Sequence, residues 1–566
     1  MKKFLKKIGS LILSAALILP FASCAKPLPA MSDVDFTVAS ISSVDALGRT
    51  TYASYESAGN RDVGLFYFLW LGAHGNKVYD ISYLQENDPD SLWNGQGTAS
   101  SPVNEYHFWG EPLYGYYNSE DPWVLTRHVE LFTLAGIDFL AFDVTNGPTY
   151  DTVVRQLLRI LDKYQKQGWN VPRIVFMTNS GGKNVVTSLY ERYYKEGSEY
   201  YYPDLWYSPN GKPLILAEKR YFSEDEEIGG FFDFRKTDWP NSPLHDEEDF
   251  PWMDWTYPQR NFGGTMSVSV AQHTASRMSD QDANWGRGYD QKKFVNDSEK
   301  VDEGLNFEQQ WDSVFRCLEE NGDSVNTVFM TGWNEWIAIK FANPDVYFVD
   351  TFNKEYSRDL EMMKGGYGDN FYLQMVRNVK RYKYGESEKY NYPQGKEGDW
   401  STACCYLDFE GDAMERNFRG YDPNTIYKDQ TNRNDIVKTE VMQDGGNYYF
   451  RITTAGAIST YAPGDTNWMN IWIATSADED FSYVINREYG KVSRITGKGY
   501  ETAGEAEVSV NGNTMTVKVA KNLLGKPGAI RLRVSDNVDA SDRMNFYIQG
   551  DSAPVGGLSY TYGSFR

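Results

Sequence analysis

The feature that most constrains this chain is an alternation, between about residue 60 and residue 385, of short apolar runs with longer amphipathic stretches. A short apolar run fits a strand buried on both faces, and a longer stretch of helical period fits a helix lying on the sheet. The alternation therefore predicts βα units and a parallel sheet. Residues 63–71 (VGLFYFLWL) read as a first strand and 139–144 (FLAFDV) as a second, after a helical stretch at 123–135. Residues 150–167 have a helical period, 173–179, 213–218, 264–272 and 327–336 read as further strands, and 307–320 reads as a helix. Residues 250–257 are a candidate seventh strand. A closed (β/α)8 barrel is the economical architecture for so many units, although a doubly wound open sheet gives the same local pattern.

At 566 residues the chain is too long for one ordinary domain. Residues 386–400 are polar, contain Pro and Gly and lack a period, which marks a linker between a barrel at 60–385 and a second domain at 401–566. The second domain has the texture of an antiparallel β-sandwich. Alternating runs at 448–453, 468–474, 481–486, 506–510, 514–519, 530–534 and 544–548 are separated by turns, and Asn511-Gly512-Asn513 is a hairpin signal.

At the other end Lys2, Lys3, Lys6 and Lys7 precede an apolar run at 8–21, the layout of an export signal over residues 1–23. Phe21-Ala22-Ser23-Cys24 resembles the lipobox of bacterial lipoproteins, which implies a lipid on Cys24, an extracytoplasmic location and a membrane attachment through that anchor alone. Plain cleavage remains the alternative, because Phe21 stands where Leu is usual. A retained membrane helix is the other alternative, but the run is short for a bilayer, which needs about 20 apolar residues. Residues 24–59 are then expected to be a tether. Besides Cys24 the cysteines are Cys317, Cys404 and Cys405, from which neither a disulfide framework nor a zinc spacing can be built.

A net charge of -22 repels a phosphate backbone and excludes nucleic acid as a partner. The expected partner is an oligo- or polysaccharide, bound by a monomer, because 15% of the residues are aromatic in an otherwise polar chain. Sugars present C–H faces to aromatic rings and hydroxyls to carboxylates and amides. The same rings can equally fill cores and strands.

Polar residues stand at the C-terminal ends of the predicted strands, where a barrel carries its active site: Asp143 with Asn146, Asn179, Glu218, Gln272 with His273, and Asn334 with Glu335. Glycoside hydrolysis needs two carboxyl groups, one protonated to assist the leaving oxygen and one ionised as nucleophile or base. Glu335, flanked by Trp333 and Trp336, is the first candidate, since indoles lower the local polarity and raise a carboxyl pKa. Asp143, at the passage from an apolar run to a polar loop, is the preferred partner, with Glu218 and Asp254 as alternatives that also serve as substrate contacts. Each of these carboxylates has a structural alternative, capping a helix or pairing an arginine. The long segment at 74–118 supplies His107, Trp109 and Glu111, either as sugar contacts or as a small core that holds the loop down. His273 is a candidate partner for a sugar hydroxyl. Residues 429–435 (DQTNRND) carry oxygen ligands but lack the glycine and terminal glutamate of a calcium loop, and read as a solvated turn. No metal and no cofactor are expected.

Trp333-Asn334-Glu335-Trp336 is similar to the corresponding element of glycoside hydrolase family 99 and its relatives, the family 71 enzymes and the WbsX-like proteins. The first strand and Phe139-Leu140-Ala141-Phe142-Asp143 fit the same resemblance over roughly residues 60–385. It implies a (β/α)8 barrel and a glycosidase, with Asn334 and the two indoles as substrate contacts. The family 99 strand carries two glutamates three positions apart. Here the second position is Ala338, so only Glu335 matches and the two-glutamate mechanism is not carried over. The C-terminal domain resembles family 9 carbohydrate-binding modules in Leu407-Asp408-Phe409-Glu410-Gly411-Asp412, in Leu523-Leu524-Gly525 and in the segment at 545–554. Trp468 and Trp472 there share a strand face, as a sugar platform or as core. The expected function is a secreted glycoside hydrolase acting on a polysaccharide or glycoprotein glycan. The alternatives are a non-catalytic glycan-binding surface lipoprotein and, among enzymes, a lyase or a transglycosylase.

Overall fold

The computed structural model describes residues 25–274, 283–322, 324–385 and 387–565. The export signal expected at 1–23 and Cys24 lie outside them. Among the described residues no helix is long and apolar enough to cross a membrane.

Seven strands form one parallel sheet: β1 Asp62–Tyr67, β2 Phe139–Val144, β3 Arg173–Thr178, β4 Leu214–Leu216, β5 Asp233–Arg235, β7 Thr265–Ser269 and β8 Thr327–Trp333, with β6 Phe250–Pro251 treated below. The order is β7-β8-β1-β2-β3-β4-β5, every neighbouring pair parallel, so the last strand in sequence pairs with the first. Beyond β5 the chain continues into Thr237–Asp238, which pairs in parallel with β6. The result is a curled α/β sheet with two apolar faces. Phe66, Phe68, Phe139, Ala141, Val175, Met177, Leu216 and Phe329 pack on its inside, while Tyr67, Leu140, Phe142, Ile174 and Phe176 pack outward in the larger core shared with the helices. Because both faces are covered, strands such as β2 are buried at every position, which is why they read as continuous apolar runs.

Helix α1 (Pro122–Ala135) precedes β2, α2 (Asp151–Lys166) and α3 (Gly182–Leu189) flank β3, α4 (Leu305–Asn321) precedes β8 and α5 (Asn370–Tyr384) follows it. Helix α1 starts where Asp121 accepts a hydrogen bond from the Trp123 N–H, with Pro122 at the first position, and stops at Gly136 in the left-handed region. Helix α2 buries Val153, Val154, Leu157, Leu158, Leu161 and Tyr164, a single stripe against the sheet.

The C-terminal region consists of a five-stranded and a nine-stranded antiparallel sheet. The Glu507–Asn511 and Thr514–Ala520 strands pair around Gly512, as the turn residues predict. Trp468 and Trp472 are buried, their indole N–H groups donating to the Ser459 carbonyl and Ser535 Oγ, and belong to the core. Three expectations are corrected. The strand expected at 544–548 is instead a 3-10 turn, Arg543–Tyr547, begun by Asp542 accepting from the Met544 N–H. The linker at 386–400 contains Tyr390–Asn391, paired with Lys26–Pro27. Residues 25–59, the described part of the expected tether, are folded: helix Asp33–Ser40 runs into strand Ile41–Val44, which pairs with Leu558–Tyr562 inside the nine-stranded sheet. Buried Lys380 on α5 donates to the carbonyls of Val38, Ala39 and Ile41, tying this segment to the α/β region as well.

Candidate functional site

A cavity of about 450 Å³ opens at the C-terminal ends of the parallel strands, the end at which such sheets bind ligands. Every strand end except that of β4 contributes in turn. Phe66, Phe68 and Trp70 follow one face of β1, alternate residues pointing the same way. Asp143, Thr145 and Asn146 come from the end of β2 and Asn179 from β3. Trp239 follows Thr237–Asp238, Trp252 and Trp255 follow β6, and His273 follows β7. Glu335, Asp350 and Arg358 come from β8 and the segment behind it.

The Trp-Asn-Glu-Trp element divides its four side chains between different tasks. The register of β8 against β1 shifts between Thr331 and Trp333, and Asn334 adopts the left-handed region (φ 58°), which asparagine tolerates better than most residues. Trp333 turns into the outer core, edge-on to Phe132 and Tyr372. Asn334 is fully buried and clamps β1: its Oδ1 accepts from the Phe68 N–H (2.9 Å) and its Nδ2 donates to the Phe68 carbonyl (2.8 Å). Trp336 stacks on Trp109 at 4.2 Å and donates to Glu361 Oε2. Trp109 in turn donates to the backbone carbonyl of Glu335 (2.9 Å). Only Glu335 reaches the cavity, on a backbone fixed from both sides.

Glu335 is 1% exposed and held by a two-pronged ion pair, Arg358 Nε to Oε2 at 3.0 Å and Nη2 to Oε1 at 2.5 Å. Burial pushes its carboxyl up from 4.5 to about 7, against the pull of Arg358 and with help from the charges of Asp350 and Asp143. Arg358 is itself 1% exposed and lies over the Trp252 ring at 5.1 Å. Its backbone carbonyl accepts from the Gly332 N–H, so the guanidinium is set by β8. The remaining nitrogen, Nη1, donates to His273 Nδ1 at 2.6 Å. A guanidinium has no acceptor, so Nδ1 carries no proton and His273 is the neutral Nε2–H tautomer. Burial and the neighbouring Arg358 lower its pKa to about 4, which agrees. His273 Nε2 faces Asp350 Oδ1 at 3.7 Å.

Asp143 is 8% exposed, and burial raises its pKa. Both of its hydrogen bonds, from the Thr145 N–H (3.0 Å) and Thr145 Oγ1 (2.7 Å), fall on Oδ1. Asp350 adopts the left-handed region (φ 66°) and its side chain is half exposed at the cavity rim. The cavity thus combines three carboxylates, one fixed guanidinium and one neutral imidazole with four indoles.

Of the residues singled out in the sequence, the structure brings Glu335, Asp143, Asn179 and His273 together around this cavity. It corrects the rest as substrate contacts. Trp333, Asn334, Trp336 and Trp109 are buried supports. His107 is buried between Ser101 Oγ and the Glu105 carbonyl, in a strand (Tyr106–Phe108) that pairs with Ile337–Ala342. The segment at 74–118 is anchored by a small core in which Ile81, Leu84 and Leu92 pack with Phe348 and Phe352. Glu111 pairs with Lys364 and lines a different cavity. Glu218 stands outside the lining, 3.5 Å from Arg220. Asp254 is 1% exposed and used up by Arg260 and the Thr256 N–H. The sequence reading missed Arg358 and Asp350, which come from irregular chain after β8.

The chain matches no family model and no curated protein. It is similar to two solved structures of the GH99 endo-α-mannosidase from Bacteroides thetaiotaomicron. The first is 14% identical, covering 56% of this chain and 97% of that one, with a TM-score of 0.33. The second, in complex with bis-tris propane, is 13% identical, covering 57% and 97%, with a TM-score of 0.34.

Proposed function

We propose that this cavity is the active site of a glycoside hydrolase acting on a polysaccharide or glycoprotein glycan. One observation carries the proposal: at the C-terminal mouth of a curled parallel sheet, Trp70, Trp239, Trp252 and Trp255 share a cavity with Asp143, Glu335 and Asp350. Indoles offer faces for sugar rings, and the reaction needs a pair of carboxyls in different protonation states. In this reading the sheet is a (β/α)8 barrel, β6 being the member that lies between β5 and β7. Glu335, poised near neutrality by burial against Arg358, exchanges the proton of the glycosidic oxygen. The bidentate pair takes one lone-pair direction on each oxygen and leaves one free. Asp143 is its partner, oriented by Thr145 through Oδ1, with Oδ2 turned to the substrate. Asn179 and the Nε2–H of His273 serve the sugar hydroxyls.

The same proposal places the protein outside the cytoplasmic membrane, supported by the charge and apolar pattern of residues 1–24 and the lipobox-like Cys24, and assigns the sandwich to carbohydrate binding on its sequence resemblance. A second reading, a glycan-binding surface protein that does not cut, draws on the occupation of both Glu335 oxygens by Arg358. Mass spectrometry of a panel of mannans, host glycans and plant polysaccharides after incubation with the parent and with Glu335→Gln separates the two. Fragments from the parent and none from the variant support hydrolysis. Glycan binding without fragments from the parent supports the second reading, and equal cleavage by both proteins removes Glu335 from the mechanism.

A further inference from the structure

Where helix α1 meets the sandwich, five carboxylates converge outside the cavity lining: Glu130 of α1, Asp408 and Asp412 behind the Cys404–Leu407 strand, Asp435, and Asp551 of the Asp551–Ala553 strand. One oxygen each of Glu130, Asp408 and Asp412 lie within 4.8 Å of one another, and so do one each of Asp412, Asp435 and Asp551. Glu130 and Asp412 are 0% exposed, Asp551 1% and Asp408 5%.

Burial of that much negative charge demands compensation, and the protein supplies little. Arg127 Nη1 donates to Glu130 Oε2 (3.0 Å) and to Asp412 Oδ2 (3.1 Å). The Gly411 N–H donates to Asp435 Oδ2 and the Ile436 N–H to Asp551 Oδ2. Lys163 is turned to the Gly411 carbonyl. The other oxygens, Glu130 Oε1, Asp412 Oδ1, Asp435 Oδ1, Asp551 Oδ1 and both oxygens of Asp408, are buried without a well-formed hydrogen bond among the described residues; the Phe409 N–H approaches Asp408, and Asp412 faces Glu130 and Asp435 carboxyl to carboxyl. One oxygen of each carboxylate is thus spoken for by the protein, save at Asp408, and the other is left over. Buried carboxylate oxygens left over in this way call for a partner that the described residues do not supply.

We propose that these oxygens hold a calcium ion that fastens the α/β region to the sandwich. Oxygens that share one calcium, at about 2.3–2.6 Å each, stand no more than roughly 5.2 Å apart, and those of each trio lie within 4.8 Å of one another. The donors are carboxylate oxygens without imidazole or thiolate, the set that hard cations prefer, whereas zinc and copper sites draw on imidazole or thiolate. Calcium fits better than magnesium because the protein offers an anionic, all-side-chain cage, whereas magnesium keeps several waters. Asp412 belongs to both trios and is the shared ligand. Residues 429–435, read from the sequence as a solvated turn, end in one of the ligands.

The test uses the full chain, stripped with a chelator and titrated with calcium chloride alone in a calorimeter, with thermal melts alongside. Saturable calcium binding and a Tm that falls on chelation and returns with calcium are expected. Asp408→Asn, isosteric with the parent, weakens calcium binding about tenfold or more. Without metal the same variant melts above the metal-free parent, because an uncompensated charge is gone. Glu130→Gln, on the α1 side, weakens binding too. No binding heat together with equal Tm with and without chelator would overturn the site. Unchanged binding in Asp408→Asn would place the ion elsewhere, unchanged binding in Glu130→Gln would overturn the bridge, and full recovery with magnesium would overturn calcium.

Discussion

Arg358 is the residue on which the electrostatics of the cavity turn, and its removal has a signature that only this arrangement produces. In Arg358→Met the apolar part of the side chain still covers Trp252, while Glu335 loses both hydrogen bonds and its counter-charge. Breaking a buried ion pair on one side costs about 3–5 kcal/mol. That cost depends on pH. In the parent, burial lifts the Glu335 carboxyl from 4.5 to about 7, so the folded state already binds more protons than the unfolded state over that window and stability falls as pH rises through it. The variant's carboxyl rises further and stays protonated where the parent's ionises. Above pH 7 the variant therefore loses stability relative to the parent by about 1.4 kcal/mol per pH unit, until its own carboxyl ionises. Urea unfolding at about pH 6, 7 and 8, followed by the helical circular-dichroism signal, measures this. The helical signal reports mainly the α/β region, because the C-terminal sheets contribute strands. A loss that is the same at all three pH values would refute the coupling between Arg358 and Glu335.

Three further outcomes follow from the packing. Asn334→Ala leaves the buried carbonyl of Phe68 unpaired, at about 1–3 kcal/mol, leaves the Phe68 N–H only its longer bond to the Trp333 carbonyl (3.3 Å), and puts alanine in the left-handed region; a Tm unchanged in a thermal melt would contradict the clamp. Trp252→Ala removes a cavity wall and the ring under Arg358, so the KM for an identified glycan rises about tenfold or more, the equivalent of roughly 1–2 kcal/mol of lost contact; an unchanged KM would take the ring out of the site. Deletion of residues 25–55 exposes the Leu558–Tyr562 edge and leaves Lys380 buried without its three carbonyls; the shortened chain is expected to aggregate, and a monomeric shortened chain with the parent Tm would show the segment to be dispensable.

The sequence carried the parts of this structure that depend on local pattern. The β2 strand was legible to the residue because it is buried on both faces, and Asp143 was legible as its polar end. Strand β5 was not, since Asp233–Arg235 is three residues long and half-buried throughout, with polar residues at both ends. Trp333 and Trp336 were expected at the site from the resemblance of the Trp-Asn-Glu-Trp element, and in a regular strand alternate residues such as Trp333 and Glu335 would share a face. The left-handed Asn334 and the register shift before it break that alternation and send the indoles into the core. Arg358 had no local signal, because it reaches Glu335 from irregular chain pinned to Gly332. The residues at 33–44 were read as a tether because a four-residue strand, Ile-Ser-Ser-Val, has no pattern of its own and is specified by its partner more than 500 residues away. The acidic cluster was spread the same way. Asp408, Asp412 and Asp551 stood inside segments already singled out for their resemblance, but only the fold brings them to Glu130.

The central claim is that the cavity cuts glycans and that Asp143 takes part in the cut without holding the fold. The most direct measurement compares the parent with Asp143→Asn on the same glycan panel, scoring bound glycan by calorimetry and released fragments by mass spectrometry. The account predicts fragments from the parent, none from the variant, and an affinity of the variant for the cleaved glycan within about threefold of the parent's, less than 1 kcal/mol. Fragment release by Asp143→Asn at the parent's rate would contradict it, as would a parent that binds glycans of the panel and releases nothing.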